Sequence, residues 1–170
     1  MNSKLKEEMK TLEHKKNHAL QIASLFMFFV ILILDLLILR VTIGFSGFVP
    51  LVARIAAFLI ILILAFALMG RSHQVLFGQK HASGERHESL TLVTDGVFAY
   101  VRHPMYLGTI LMYLAFIILI VSLVSLIPWI IIIIIYNYLA NYEEMGLERI
   151  FGKDYLEYKK RVRKWIPQLF

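Results

Sequence analysis

Cysteine is absent from this chain of 170 residues, which excludes disulfides, thiolate metal sites, a catalytic thiol and prenylation of the chain itself. Charge is scarce: Asp, Glu, Lys and Arg together make up 18% of the sequence. No G-x-G-x-x-G follows a strand and no G-x-S-x-G elbow occurs, which excludes a Rossmann cofactor domain and offers no serine nucleophile of the hydrolase kind. His73, His81 and His87 match no metal-ligand spacing, so no metal is expected. Apolar residues fill the chain instead, at 59% of the sequence with a mean hydropathy of +0.70. Several apolar runs approach the roughly 20 residues that a helix needs to cross a bilayer. The expected fold is an all-α integral membrane protein in a single domain (1–170), with about four spanning helices and its active site built from them and the short segments between them.

Residues 19–39 are apolar except for Gln21, Ser24 and Asp35 and read as the first span. The lysine-rich opening from Lys4 to Lys16 has no small-residue cleavage site after the apolar run, so it is expected to be retained at the interface. A turn at Gly44, Gly47 and Pro50 leads to a second span, 51–69, with Arg54 placed to snorkel and Arg71 at the far end. A cytoplasmic loop is expected over 71–103. From Met105 to Ala140 run 36 residues without one charge. As one helix they would measure about 54 Å at about 1.5 Å per residue, against a hydrocarbon core of about 30 Å. The run must fold into a hairpin of 105–122 and 124–140, with Ser122, Ser125 and Pro128 at its turn and arms barely long enough to cross. The tail, 146–166, reads as an amphipathic helix with Tyr155, Tyr158, Val162 and Ile166 on one stripe, lying on the inner leaflet with Trp165 as its anchor.

Of the 18 basic residues, sixteen lie in the opening segment, the 71–103 connection or the tail; only Arg40 and Arg54 fall opposite. The positive-inside bias therefore puts both termini and the long loop in the cytoplasm. The net charge of +6 is then topology and attraction to anionic lipid, with no nucleic-acid partner expected.

Two polar clusters flank the hairpin. Asp95, Gly96, Tyr100, Arg102, His103, Pro104 and Tyr106 stand where it begins, and Asn137, Asn141, Glu143, Glu144 and Glu148 where it ends. An antiparallel hairpin returns its end beside its beginning, so the clusters converge on one mouth. Pro104 suits the first turn of a helix, since its missing amide hydrogen would have no partner there. Such a start, with Arg102 beside it, attracts a carboxylate or phosphate; it also reads as an ordinary helix start with an interfacial arginine. Glu143 and Glu144 sit at a helix end where acidic residues are unfavourable, so they call for an internal cation such as Arg149, a cationic ligand, or solvent. Adjacent carboxylates face different ways, so one of the two is expected inside the mouth. Asp35, an acid inside a span, is a candidate for function or for bonding within the bundle.

The stretch from Thr91 to Gly108, TLVTDGVFAYVRHPMYLG, resembles the isoprenylcysteine carboxyl methyltransferases and the related phospholipid methyltransferases. So do the later Glu143-Glu144, Leu147, Phe151-Gly152, Tyr155, Tyr158 and Ile166-Pro167, in the same order around a hairpin. The resemblance covers roughly the C-terminal half. It implies an enzyme that transfers a methyl group from S-adenosyl-L-methionine, held in a membrane-embedded site, to a lipophilic acceptor entering from the bilayer, a prenylcysteine-like carboxylate or a lipid. It assigns Thr91, Leu92, Val93, Phe98, His103, Pro104, Met105, Tyr106 and Glu143 to the cofactor. For the chemistry the candidates are Glu143, Arg102 and Glu144. The isoprenylcysteine enzymes commonly have an arginine four residues before that glutamate, where this chain has Leu139. Two other readings carry less: a sterol-type reductase, disfavoured by Thr109 after Gly108, and a small cation transporter using Asp35, which leaves the polar mouth unexplained.

Overall fold

The computed structural model describes the backbone of residues 3–39, 47, 49–82 and 91–166, and the side chains of 16–38, 47, 49–76 and 91–166. Among the described residues five α-helices follow one another: α1 (Ser3–Leu34), α2 (Leu51–Ala82), α3 (Pro104–Ile120), α4 (Leu126–Phe151) and α5 (Lys153–Arg161). A π-helical turn, Asp35–Leu39, continues α1, a 3-10 turn, Gly96–Ala99, precedes α3, and there is no strand among the described residues. Among the described residues three stretches are long and apolar enough to cross a bilayer: Lys16–Ile38, Leu51–Leu76 and Leu126–Phe151. The fourth helix, α3, has 17 residues and reaches only about 25 Å. The protein is thus an all-α integral membrane protein, with one arm of its hairpin shorter than a full crossing.

Three boundaries differ from the sequence expectation. The helix begun at Leu51 runs on to Ala82, so the first part of the expected 71–103 loop is helical, and Arg71 sits inside a helix rather than after one. Its apolar stretch continues through Leu76, and nothing among residues 70–76 breaks a helix: Gly70 meets no neighbour and lowers only propensity. Arg40, Gly44, residues 83–90 of the loop with His87, and the side chain of His81 lie outside the described residues. The second hairpin arm does not stop near residue 140 but continues to Phe151, about three more helical turns carrying Asn141, Glu143, Glu144 and Glu148. The tail is not one helix. It breaks at Gly152, whose φ of 55° is cheap only for glycine, and α5 then gives way to extended chain at Val162.

The hairpin turn is where the sequence placed it. Val121 closes α3 at φ 59°, and the Ser122 amide returns to the Ile117 carbonyl, the six-residue bond of a left-handed helix end. Ser122 Oγ then lies 2.5 Å from Asp35 Oδ2 and 2.8 Å from Ser125 Oγ, with all three side chains buried. This bond pins the end of α1 to the hairpin turn. Arg54 does not only snorkel; its Nη1 donates to the Leu119 carbonyl at 3.5 Å, joining the start of α2 to the end of α3.

Phe28 and Leu32 of α1, Ile110, Tyr113 and Ile117 of α3, and Ile132 and Tyr136 of α4 form the buried core. Phe28 and Tyr113 rings meet at 4.7 Å, and Trp129 spans the hairpin by donating to the Ile110 carbonyl at 3.0 Å. Helix α2 packs along α3 on the other side. Gly108 makes that approach close: a Cβ there would lie 2.6 Å from Met69 Cγ and 2.9 Å from the Ala65 carbonyl. Without a hydrophobic force between helices in lipid, such small-residue contacts are what bring them together.

Candidate active site

The hairpin's open end carries the convergence read from sequence. His103 caps α3 with Pro104 in the first turn, and the Leu107 amide bonds back to the His103 carbonyl at 3.0 Å. Glu143 and Glu144 arrive on α4 and divide as adjacent helical residues must: the Glu144 side chain is 3% exposed and that of Glu143 49%.

Glu144 is the centre of a buried ion cluster. Arg102 reaches its Oε1 with Nη2 at 3.0 Å and Nε at 3.2 Å, His103 Nε2 lies 3.2 Å from the same oxygen, and Lys159 Nζ lies 3.1 Å from Oε2. Lys164 Nζ is the most distant cation, at 3.6 Å. The Arg102 guanidinium is spent twice more, on the Lys159 carbonyl at 3.1 Å and the Val162 carbonyl. Taking a carboxylate out of water costs several kcal/mol unless it is paired and bonded on most lone pairs, and this cluster meets that condition. The cation that Glu144 required is therefore internal, and it is Arg102 with Lys159 rather than Arg149.

Glu143 stands at the edge of the cluster, in reach of solvent. Its Oε1 accepts the Tyr106 hydroxyl, and its Oε2 lies 3.6 Å from His103 Nδ1. His103 therefore bridges the two carboxylates. Burial alone would lower its pKa, but the hydrogen bonds and charges of Glu143 and Glu144 outweigh that loss, and the net direction is up from the usual 6.5. The His103 and Tyr106 rings are parallel, with centroids 5.7 Å apart, and Tyr136 meets Tyr106 edge-on at 5.1 Å. Aromatic faces beside a half-exposed carboxylate make a site suited to positive charge.

The other residues expected at the cofactor divide. Pro104 is buried at the start of α3. Met105 lines a cavity of about 490 Å³ with Met69, Gly70, His73 and Gln74. Leu92 packs with Leu147 and Phe151 against Tyr155, Tyr158 and Val162, and the Phe98 carbonyl accepts the Tyr158 hydroxyl at 2.7 Å. Burial pushes that hydroxyl up to about 12, so it stays a donor. Thr91 and Val93 lie in the same segment, Thr91 exposed and Val93 half-buried. Segment 91–98 is thus held against α5 rather than joined directly to the His103 and Glu143 pair.

This packing corrects the tail. The stripe of Tyr155, Tyr158 and Val162 is covered by protein, not by the inner leaflet, because the break at Gly152 folds α5 back onto Leu92, Leu147 and Phe151. Trp165 likewise packs on the core cluster and donates to Asn137 Oδ1 at 3.3 Å instead of anchoring at headgroups. Lys159, Lys164 and Trp165 are the site residues that sequence reasoning missed. Their only signal was spacing on a helix, which is equally compatible with lipid contact.

The sequence profile described as phospholipid methyltransferase matches residues 53–154, more than half of the chain, including Arg102, His103, Tyr106, Glu143 and Glu144 but not Lys159 or Lys164. The chain belongs to the phospholipid methyltransferase family. Curated relatives of this family member include the protein-S-isoprenylcysteine O-methyltransferase of Homo sapiens, 32% identical over 84 residues that cover 49% of this chain and 30% of that protein. The protein-S-isoprenylcysteine O-methyltransferase B of Arabidopsis thaliana is 32% identical over 85 residues, 48% of this chain and 42% of the relative. That of Schizosaccharomyces pombe is 32% identical over 86 residues, covering 50% and 36%. The matched part spans less than half the length of each. No solved structure matches the chain.

Proposed function

We propose that this protein is a membrane methyltransferase that draws on S-adenosyl-L-methionine and methylates a lipophilic acceptor reached from the bilayer. The observation that carries this reading is the meeting of Tyr106 and His103 with Glu143 at the hairpin mouth, within the segment that matches the family. The residues suit the cofactor on their chemistry. Glu143 and the Tyr106 ring favour its ammonium and sulfonium, and the first amides of α3, at Met105 and Tyr106, favour its carboxylate. When bound, the cofactor supplies a methyl group made electrophilic by the sulfonium.

The protein's own part is to hold. Arg102 and Glu144 act as a brace that fixes the His103 ring, so that bound groups are held in line, and alignment lowers the barrier. Leu139 is 1% exposed, and Arg102 is bound to Glu144. Neither of the two segments that frame the mouth, 102–106 and 137–144, then offers an uncommitted arginine or lysine to a substrate carboxylate. A lipid amine, neutral when it attacks, suits this setting better than a prenylcysteine carboxylate, and water reaching the half-exposed mouth takes its proton. By the positive-inside bias the mouth and both termini are cytoplasmic.

The test is an assay with methyl-labelled cofactor, offering a total lipid extract and a farnesylated cysteine analogue in parallel. Label in the lipid fraction is expected. Label on the farnesylated analogue alone would overturn the acceptor assignment, and label on neither would remove the lipophilic-acceptor reading.

A further inference from the structure

The segment that follows α5, Val162 to Ile166, crosses the mouth as extended and bent chain. Its first half is anchored. Val162 is buried in the cluster with Tyr155 and Tyr158, and the Arg102 amide donates to the Arg163 carbonyl at 3.0 Å. Its second half rests on the polar face of α4. There Asn137, Asn141 and Glu144 lie four and then three residues apart, on one helical face, and each meets a side chain of the segment. Trp165 Nε1 donates to Asn137, Lys164 Nζ donates to Asn141, and Lys164 stands 3.6 Å from Glu144. The Trp165 ring is tilted against His103 with centroids 5.9 Å apart.

An ammonium and a planar nitrogen heteroaromatic thus occupy the face of α4 beside Glu143. These are two of the chemical features that S-adenosylmethionine itself presents. Releasing these contacts leaves the Glu144 cluster paired. Glu144 keeps Arg102, Lys159 and His103 at 3.0 to 3.2 Å if Lys164 leaves, and the Trp165 bond is long at 3.3 Å. The anchor at Arg163 lies directly before Lys164, so the two side chains can swing away without disturbing Val162.

We infer that Lys164 and Trp165 form a displaceable strap, which docks on Asn137, Asn141 and Glu144 and which cofactor binding releases. The inference rests on the reading of this mouth as the cofactor site. It makes the strap a competitor, so apparent affinity falls by the fraction of time the mouth is open.

The chain holds two tryptophans, Trp129 inside the hairpin and Trp165 on the strap, so 5-fluorotryptophan labelling gives a two-line ¹⁹F spectrum without altering the chain. Titration of the full-length protein with S-adenosylhomocysteine should move the Trp165 line, assigned with Trp165→Phe, and leave the Trp129 line in place. In parallel, Lys164→Ala should tighten S-adenosylhomocysteine binding about threefold to tenfold, as expected where the open fraction is roughly a third to a tenth. Lys164→Gln is the alternative should the alanine variant aggregate. Weaker binding by the Lys164 variants would mean that the lysine contacts the ligand, and would overturn the strap. A ligand that binds without moving the Trp165 line would overturn it too. Absence of any binding to the unaltered protein would instead overturn the cofactor reading, and the strap with it.

Discussion

The two ends of the hairpin each bury a carboxylate, and they do so differently. At the turn, Asp35 is met by the hydroxyl of Ser122, itself bonded to Ser125, in a small enclosed group that ties α1 to the hairpin. At the mouth, Glu144 is surrounded by Arg102, His103, Lys159 and Lys164, drawn from three separate parts of the chain. Beside it, Glu143 is left half exposed between His103 and Tyr106. A buried acid answered by hydroxyls closes a structure. A buried acid answered by several cations, next to a second acid with solvent access, holds a charged surface ready for a ligand. Under the proposed function the acid at the turn is structural and Glu143 at the mouth meets the cofactor, and each has its own test.

The largest effect is expected at the brace. Arg102→Ala strands Glu144 in a setting where its side chain is 3% exposed, and breaking a buried pair from one side typically costs about 3–5 kcal/mol. Thermal unfolding in detergent should show a large drop. A melting temperature near that of the unaltered protein would mean that Lys159 and Lys164 suffice alone.

At the turn, Asp35→Asn should cost about 1–3 kcal/mol, the usual range for a disturbed buried hydrogen bond, and leave S-adenosylhomocysteine affinity unchanged at a temperature where the variant is folded. Full stability with lost turnover would move Asp35 to the functional side of the comparison.

The smallest effect concerns pH. His103 is raised in the folded protein, so its contribution to stability is fully present below the usual value of 6.5 and is lost as pH rises through the elevated one. The melting temperature should therefore decline on going from roughly pH 6 to alkaline pH, and His103→Gln should flatten that part of the profile. An unchanged slope in the variant would assign the pH dependence to another group.

Much of this architecture is legible in the sequence. A run of 36 uncharged residues cannot cross a bilayer once, and Ser122, Ser125 and Pro128 mark where it turns. Folding it brings Arg102–Tyr106 beside Glu143–Glu144 whatever the details of the helices. The tail was not legible for a physical reason. The stripe of Tyr155, Tyr158 and Val162 says only that something apolar covers it, and periodicity does not distinguish a leaflet from Leu92, Leu147 and Phe151. The same ambiguity hid Lys159 and Lys164, whose charges read as lipid-facing until the break at Gly152 turned them inward. The length of α2 was hidden because Arg71 looked like a terminus, although a charged residue ends only the membrane-embedded part of a helix and not the helix itself.

The central claim is that Glu143, not Asp35 or Glu144, faces the ligand. Calorimetric titration of S-adenosylhomocysteine into the unaltered protein and into Glu143→Gln tests it most directly. A lost charge-assisted contact is worth about 1.5–3 kcal/mol, so the variant should bind roughly ten- to a hundredfold more weakly while its melting temperature stays close to that of the unaltered protein. Equal affinity in the two proteins, or no binding to either, would contradict the account.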